Sequence, residues 1–347
     1  MLFVSLRDLQ WRRRRFFIGV LAAGLVFALT LLMSGVNASF KTEIKHTVAA
    51  FGVDAWVVPS EVSGPFTSSQ VFPAAEAQKV ASQPSVRGAD PILLMRSSVT
   101  AKTVRDLNVI GIPPGGIVRP ALSSGRSLRG AGDMIADASL GLRVGSTVRL
   151  FGHLFTIVGR TSGVAYFAGT PVAFVPLADL QAAALSGAPL ANAVVARGSI
   201  TSAPPGYRVL TNAAVRADLG RPMRKATQTI NFIMVLLWIV AAGIIGSILY
   251  LQAIERSRDF AVFKATGVTT RTLLWGLAVQ AIALALCSAV AAYVLSLLLT
   301  PAISMAVEIP QSAYLALPVI AIVVGLVSSL VALRRAVTVD PALAFGG

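Results

Sequence analysis

Four uncharged, apolar runs constrain this chain more than anything else in it: residues 16–36, 230–254, 273–300 and 311–333. They are 21, 25, 28 and 23 residues long and contain no Asp, Glu, Lys or Arg. A bilayer core of about 30 Å needs about 20 apolar residues per helix, so each run is long enough to cross. Within hydrocarbon the backbone has no water to bond, so each run is expected to be a helix. The fold class expected is a membrane α-helical protein with four transmembrane helices, arranged one plus three. A large segment, residues 37–228, lies between the first and second helices.

The basic residues orient the spans. Arg7 and the run Arg12 to Arg15 precede the first. Arg256, Arg258, Lys264 and Arg271 follow the second, and Arg334 and Arg335 follow the fourth. The connection 301–310 holds only Glu308 as a charged residue. Lys and Arg near span ends mark the cytoplasmic side. Both termini and the 255–272 loop are therefore expected in the cytoplasm, with 37–228 and 301–310 outside. Arg216, Arg221, Arg224 and Lys225 lie on the opposite side, but long domains translocate largely regardless of charge. The first run is expected to stay as a span, because Asn37-Ala38-Ser39-Phe40 is a poor signal-cleavage site.

These assignments divide the chain into a cytoplasmic amphipathic N-terminal segment (1–15), spans at 16–36, 229–254, 273–300 and 311–333, a cytoplasmic loop (255–272), an external loop (301–310) and a cytoplasmic tail (334–347). In the N-terminal segment Leu2, Phe3, Leu6 and Leu9 fall on one helical face, with Trp11 and the arginines at headgroup level. Membrane lipids are the implied contact there.

The net charge of +15 does not indicate nucleic acid, because the arginine runs flank spans where topology accounts for them. Residues 37–228 hold 19 Lys and Arg against 10 Asp and Glu, an excess that reads as a solvated face. The one cysteine, Cys287, lies in the third span, so the outer segment has no disulfide. His46 and His153 stand apart, and no Cys/His cluster suggests a metal. Residues 111–116 are rich in glycine and proline but lack the Gly-Lys-Ser/Thr ending of a phosphate loop, and read as a turn. There is no serine nucleophile elbow or triad motif. The chain is expected to be non-catalytic and to hold no cofactor.

The outer segment, about 190 residues, is large enough to bury its own core. It reads as mixed α/β. Residues 55–59, 92–100, 104–112 and 172–175 look extended, and 74–82 and the stretch from Pro176 look helical. Residues 147–151 and 154–158 read as a hairpin turning at Gly152-His153.

Taken as a helix, residues 255–267 bring Phe260, Phe263 and Lys264 together, with Arg256 one turn back. Gly267 suits a left-handed helix end. A plain solvated connector is equally compatible with the charges, but it does not require two phenylalanines. Exposed aromatics at a cytoplasmic turn suggest a protein-docking surface. In the second span Ala242 and Gly246 form a small-xxx-small pair suited to a close helix contact.

The run Glu255-Arg256-Ser257-Arg258-Asp259-Phe260-Ala261-Val262-Phe263-Lys264-Ala265-Thr266-Gly267 resembles the E-R-x-R-E-x-A-[VIL]-[LM]-[KR]-A-[LI]-G signature of FtsX-like (MacB-type) ABC transporter permeases. The ending Asp340-Pro341-Ala342-Leu343-Ala344 is similar to that family's C-terminus. Residues 52–59 and 141–159 resemble its extracytoplasmic domain, particularly in the DevC-like branch. Asp259, Phe263 and Thr266 stand where Glu, Leu and Leu are commoner, and Thr266 alone changes the character of its position.

The resemblance implies a permease subunit without a fused ATPase, in a bacterial cytoplasmic (inner) membrane. Two copies pair, with Ala242 and Gly246 as the dimer contact, and each docks a separate cytoplasmic ABC ATPase, which binds the ATP. The ATPase-coupling residues are then Glu255, Arg256, Arg258, Asp259, Phe260, Phe263, Lys264 and Gly267. Residues 2–10 are a second contact or an interfacial anchor. The outer domain responds to ATP hydrolysis, for export or extrusion of a lipid, peptide or drug-like substrate. The uncharged spans favour transmitted motion over a polar path, which usually leaves ionisable groups in the membrane. The alternative is a non-transporting signalling scaffold that activates an extracytoplasmic partner such as a cell-wall hydrolase.

Overall fold

The computed structural model describes residues 13–100, 104–167, 169–255, 262, 266–300 and 307–337. Two units emerge, one of residues 1–39 with 227–347, the other of residues 40–226.

The first unit contains the apolar helices. Helix α1 (Arg13–Ala50) runs through the first apolar run and continues beyond it. Helices α5 (Arg221–Glu255), α6 (Thr270–Leu299) and α7 (Gln311–Val337) contain the other three. All four are long and apolar enough to cross a membrane. Their shared core is built from Phe27 and Leu31 of α1, Ile245 and Leu249 of α5, Leu284 of α6, Leu317 and Val324 of α7, and many alanines. Lipid offers no hydrophobic drive between helices, so close backbone approach has to hold them together. Glycines provide it. A Cβ at Gly24 of α1 would meet Ser288 O of α6 at 3.2 Å, and one at Gly325 of α7 would meet Ala281 O of α6 at 3.0 Å. The hydroxyls inside the bundle are satisfied locally, as where Ser288 Oγ donates to Leu284 O at 2.8 Å. The remaining faces are apolar and exposed, among them Phe232, Ile239, Leu298 and Leu315.

The second unit is mixed α/β. Its strands are β1 (Ala55–Pro59), β2 (Phe72–Pro73), β3 (Val86–Thr100), β4 (Val104–Ile112), β5 (Ser124–Gly125), β6 (Asp133–Asp137), β7 (Thr147–Leu150), β8 (His153–Thr161), β9 (Ala165–Tyr166), β10 (Thr170–Pro176), β11 (Leu190–Ala191), β12 (Ala193–Gly198) and β13 (Tyr207–Thr211). Its helices are α2 (Glu76–Ala81), α3 (Leu177–Leu185) and α4 (Asn212–Leu219). The strands follow the order β13-β1-β12-β3-β4-β10-β6-β8-β5. The pairs β4–β10 and β6–β8 are parallel, and the other neighbours on this path are antiparallel.

The long strand β3 joins the two halves. Its first part, up to Ile92, pairs with β12, and from Leu93 onward it pairs with β4. Trp56 is fully buried in the larger core and meets Phe51 edge-on at 4.8 Å. Its Nε1 donates to Asn212 Oδ1 at 2.7 Å, and Asn212 Nδ2 donates to Val53 O at 2.8 Å. Asp218 is buried and accepts from the Phe66 amide at 3.1 Å and from the Thr67 hydroxyl.

Two local features differ from the sequence reading. The β7–β8 hairpin turns at Phe151-Gly152, one residue earlier than expected, with Leu150 opposite His153. Both turn residues have positive φ, +48° and +82°. A two-residue turn with both φ positive matches the right-handed twist of its strands, and Gly152 takes the second position without steric cost. Second, the helical segment does not stop where the first apolar run does. No Pro or Gly lies between Val36 and Gly52, so nothing interrupts α1 when its composition turns polar.

One carboxylate in this unit is held in its charged form. Arg126 grips Asp133 with two hydrogen bonds of 2.7 and 2.9 Å, and the Arg129 amide adds a third at 2.9 Å. The hydrogen bond from Arg126 is the main cause that holds the Asp133 carboxyl below its usual range. A depressed folded-state pKa stabilises above the unfolded value, and that stability is lost as pH falls through the folded one. Asp133→Asn should therefore lower the unfolding temperature of the full chain at pH 7, by no more than a few degrees because the arginine partner is screened by solvent. The difference should shrink toward pH 3, which thermal unfolding at the two pH values checks.

Candidate coupling site and helix contacts

The segment expected to couple begins where α5 ends, at Glu255. Arg256, Arg258, Asp259, Phe260, Phe263 and Lys264 lie outside the described residues, as do residues 2–10 and the ending 340–344. Val262 is helical and exposed. The Thr266 amide donates to Val262 O at 3.0 Å, a helical i→i−4 bond. Gly267 then takes φ +90°, and a Cβ there would meet nothing within 4 Å. That backbone conformation, rather than lack of room, is what favours glycine at this position. Thr269 precedes α6 with an extended backbone, and its hydroxyl lies 2.9 Å from that of Thr272. The described ends of the segment are thus one helical bond, a left-handed glycine and the start of the next span.

Ala242 and Gly246 are placed together, but against α7 of the same chain. Ser328 Oγ of α7 donates to Ala242 O at 2.9 Å. Gly246 is buried, and a Cβ there would lie 3.5 Å from Ser328 O. The face of α5 that stays exposed lies one residue further round, with Gly243 and Ser247 bordered by Phe232, Ile239 and Val240. A small-xxx-small spacing shows where a backbone can be approached closely but not which helix approaches it, so Ser328 was invisible in the spacing.

Similarity to known proteins agrees with this architecture. Residues 18–229 match the family model for the MacB-like periplasmic core domain, and residues 231–341 match that for the FtsX-like permease C-terminal region. An uncharacterized ABC transporter permease of Mycobacterium bovis is 42% identical over the whole of both chains. One from Mycobacterium tuberculosis is 41% identical, again over both whole chains. A putative hemin transport system permease protein, HrtB, of Staphylococcus epidermidis is 28% identical over 35% of this chain and 36% of its own. Among solved structures, the periplasmic region of MacB from Actinobacillus actinomycetemcomitans aligns with 51% of this chain and 98% of its own, at TM-score 0.36 and 11% identity. The protein is a multi-span membrane protein of the permease class. It belongs to the family of FtsX-like ABC transporter permeases that carry a MacB-like periplasmic core domain.

The intrachain role of Gly246 makes a prediction. Gly246→Leu has to push its side chain into α7 and should destabilise the bundle by about 1–3 kcal/mol, as overpacking does. Gly246→Ala adds only a methyl at an ordinary 3.5 Å from Ser328 O and should leave thermal unfolding of the detergent-purified chain nearly unchanged. Equal effects of the two substitutions would contradict the packing.

Proposed function

We propose that this chain is the transmembrane subunit of an ABC transporter whose separate cytoplasmic ATPase drives a conformational change of the α/β unit on the outer side of the membrane. The carrying observation is a combination: spans without a single charged residue, and two helices, α1 and α5, that each run unbroken from an apolar span into the segment of chain that forms the α/β unit. A polar solute path usually places ionisable groups within the spans. An unbroken helix is stiff along its axis, since every interior residue is hydrogen-bonded to its neighbours one turn away.

On this reading the 255–267 segment is the coupling element. Arg256, Arg258 and Lys264 pair with acidic groups of the ATPase, Phe260 and Phe263 enter an apolar groove, and Glu255, Asp259 and Gly267 shape the turn. ATP is bound and hydrolysed by the ATPase, and this chain contributes no catalytic group or cofactor. Two copies pair in the cytoplasmic membrane with both termini inside, the orientation that the Lys and Arg distribution favours. The dimer contact on α5 moves from Ala242 and Gly246, which are occupied by α7, to the exposed Gly243 and Ser247.

The transported molecule is a lipid, peptide or drug-like compound taken from the membrane or its outer surface and extruded. The HrtB relatives, named for hemin transport, are in keeping with an amphipathic cargo.

The test is affinity purification of the full chain from native membranes. A stoichiometric nucleotide-binding subunit should co-purify with the unsubstituted chain, and Phe260→Ala with Phe263→Ala should reduce its recovery at least tenfold while the chain still inserts. Unchanged recovery would refute the coupling role of the two aromatics, and no ATPase with the unsubstituted chain would refute the transporter reading.

A further inference from the structure

The α/β unit contains a cavity of about 600 Å³ that the permease reading does not use. Arg96, Ser98, Asp106, Asn108, Phe167 and Thr170 line it. The strand register accounts for the assembly. On the β3–β4 ladder Arg96 lies opposite Asn108, and Ser98 lies opposite Asp106. Side chains two apart on a strand share a face, so these four stand together. On the parallel neighbour β10, Val172 is level with Asn108, which brings Thr170, two residues earlier, to the same face.

Arg96 is positioned before any ligand arrives. Its guanidinium carbon sits 4.2 Å from the centroid of the Phe167 ring. Phe167 adopts φ +59°, an uncommon conformation for a residue with a side chain. Its ring packs edge-on against Tyr166 at 4.9 Å, and Tyr166 in turn packs against Phe66 at 5.1 Å. The cation thus rests on a ring anchored in the core. Burial raises the Tyr166 phenol above its ordinary pKa, so it stays neutral beside the guanidinium.

Among the described residues neither Arg96 nor Asp106 has an ion-pair partner within 4.0 Å. Asn108 is fully buried. Its Nδ2 donates to Thr170 O at 3.3 Å and Tyr166 O at 3.5 Å, while its Oδ1 accepts from nothing. Thr170 Oγ1 donates to Phe167 O at 3.2 Å, which leaves its lone pairs to accept.

A simple anion would be drawn to Arg96 and repelled by Asp106, and a simple cation would meet the reverse. A ligand with both charges uses both groups. Diagonal neighbours on an antiparallel ladder are roughly 7–8 Å apart at the backbone, and the long arginine side chain can adjust the separation of the two charges. Two residues of extended peptide span roughly 7 Å. A guanidinium takes a carboxylate through two parallel hydrogen bonds, and Asp106 complements an ammonium. Pockets of about 300–1,000 Å³ are the usual size for small ligands, so side chains of a short peptide fit as well. We propose that this cavity binds a short zwitterionic peptide, its terminal carboxylate on Arg96 and its terminal ammonium on Asp106, with the Ser98 and Thr170 hydroxyls beside its peptide bond. The site is independent of ATPase coupling and can be tested on the chain alone.

The experiment is calorimetric titration of the full chain in detergent with dialanine, N-acetyl-dialanine and dialanine amide. Saturable binding of dialanine is expected, with each blocked form at least tenfold weaker. Arg96→Met and Asp106→Asn should each weaken dialanine at least tenfold, and Asp106→Asn should bind N-acetyl-dialanine no worse than the unsubstituted chain does. Both side chains are exposed, so thermal unfolding should be unchanged; the blocked peptides decide the question even for a variant that unfolds earlier. No saturable binding, equal binding of the blocked forms, or indifference to both substitutions would overturn the proposal.

Discussion

Inside a bilayer every backbone N–H and C=O must be paired within the chain, and each one left unpaired costs several kcal/mol. That constraint shapes the rest of this protein. It makes the four apolar runs helices, and it leaves van der Waals packing, rather than hydrophobic burial, to assemble them. Gly24, Gly246 and Gly325 answer that need by letting α1, α5 and α7 approach their neighbours closely. Ser288 and Ser328 return their hydroxyls to carbonyls of the helices, so polar atoms stay satisfied at these contacts. What remains on the outer faces is apolar and suited to lipid or to a second copy.

The α/β unit follows other rules. It has water around it and can expose charge, so it gathers nearly two basic residues for each acidic one without disturbing its core. Its order comes from the sheet, and β3 is the strand on which both halves depend. A 15-residue strand that changes partner between Ile92 and Leu93 lets one segment serve two ladders. The far half of that strand also carries Arg96 and Ser98 into the cavity.

Features that depend on local period or composition were legible in the sequence. The apolar runs announced the bundle, and strands such as β1 and β4 were visible as β-rich stretches between turns. Features that depend on a distant partner were not. The β7–β8 turn shifted by one residue because two positive φ values, rather than composition, set its position. The neighbour of Gly246 is Ser328, 82 positions away, and no periodicity within α5 could reveal it. Arg96 and Asp106 come together through the β3–β4 register and Phe167 reaches Arg96 from the turn between β9 and β10, and no motif in the sequence links the three. The 255–267 segment stood out for a different reason, its charges and aromatics between two spans and its resemblance to a family motif.

In the proposed transporter, the nucleotide state of the ATPase reaches the α/β unit through α1 and α5. Hydrogen–deuterium exchange on the assembled complex in lipid nanodiscs measures this most directly, comparing the ATP-bound and nucleotide-free states. Changed protection is expected in residues 40–51, where α1 enters the α/β unit, and in residues 207–226, where the chain leaves it along β13, α4 and the start of α5. Identical exchange in both stretches while the ATPase turns over would contradict it.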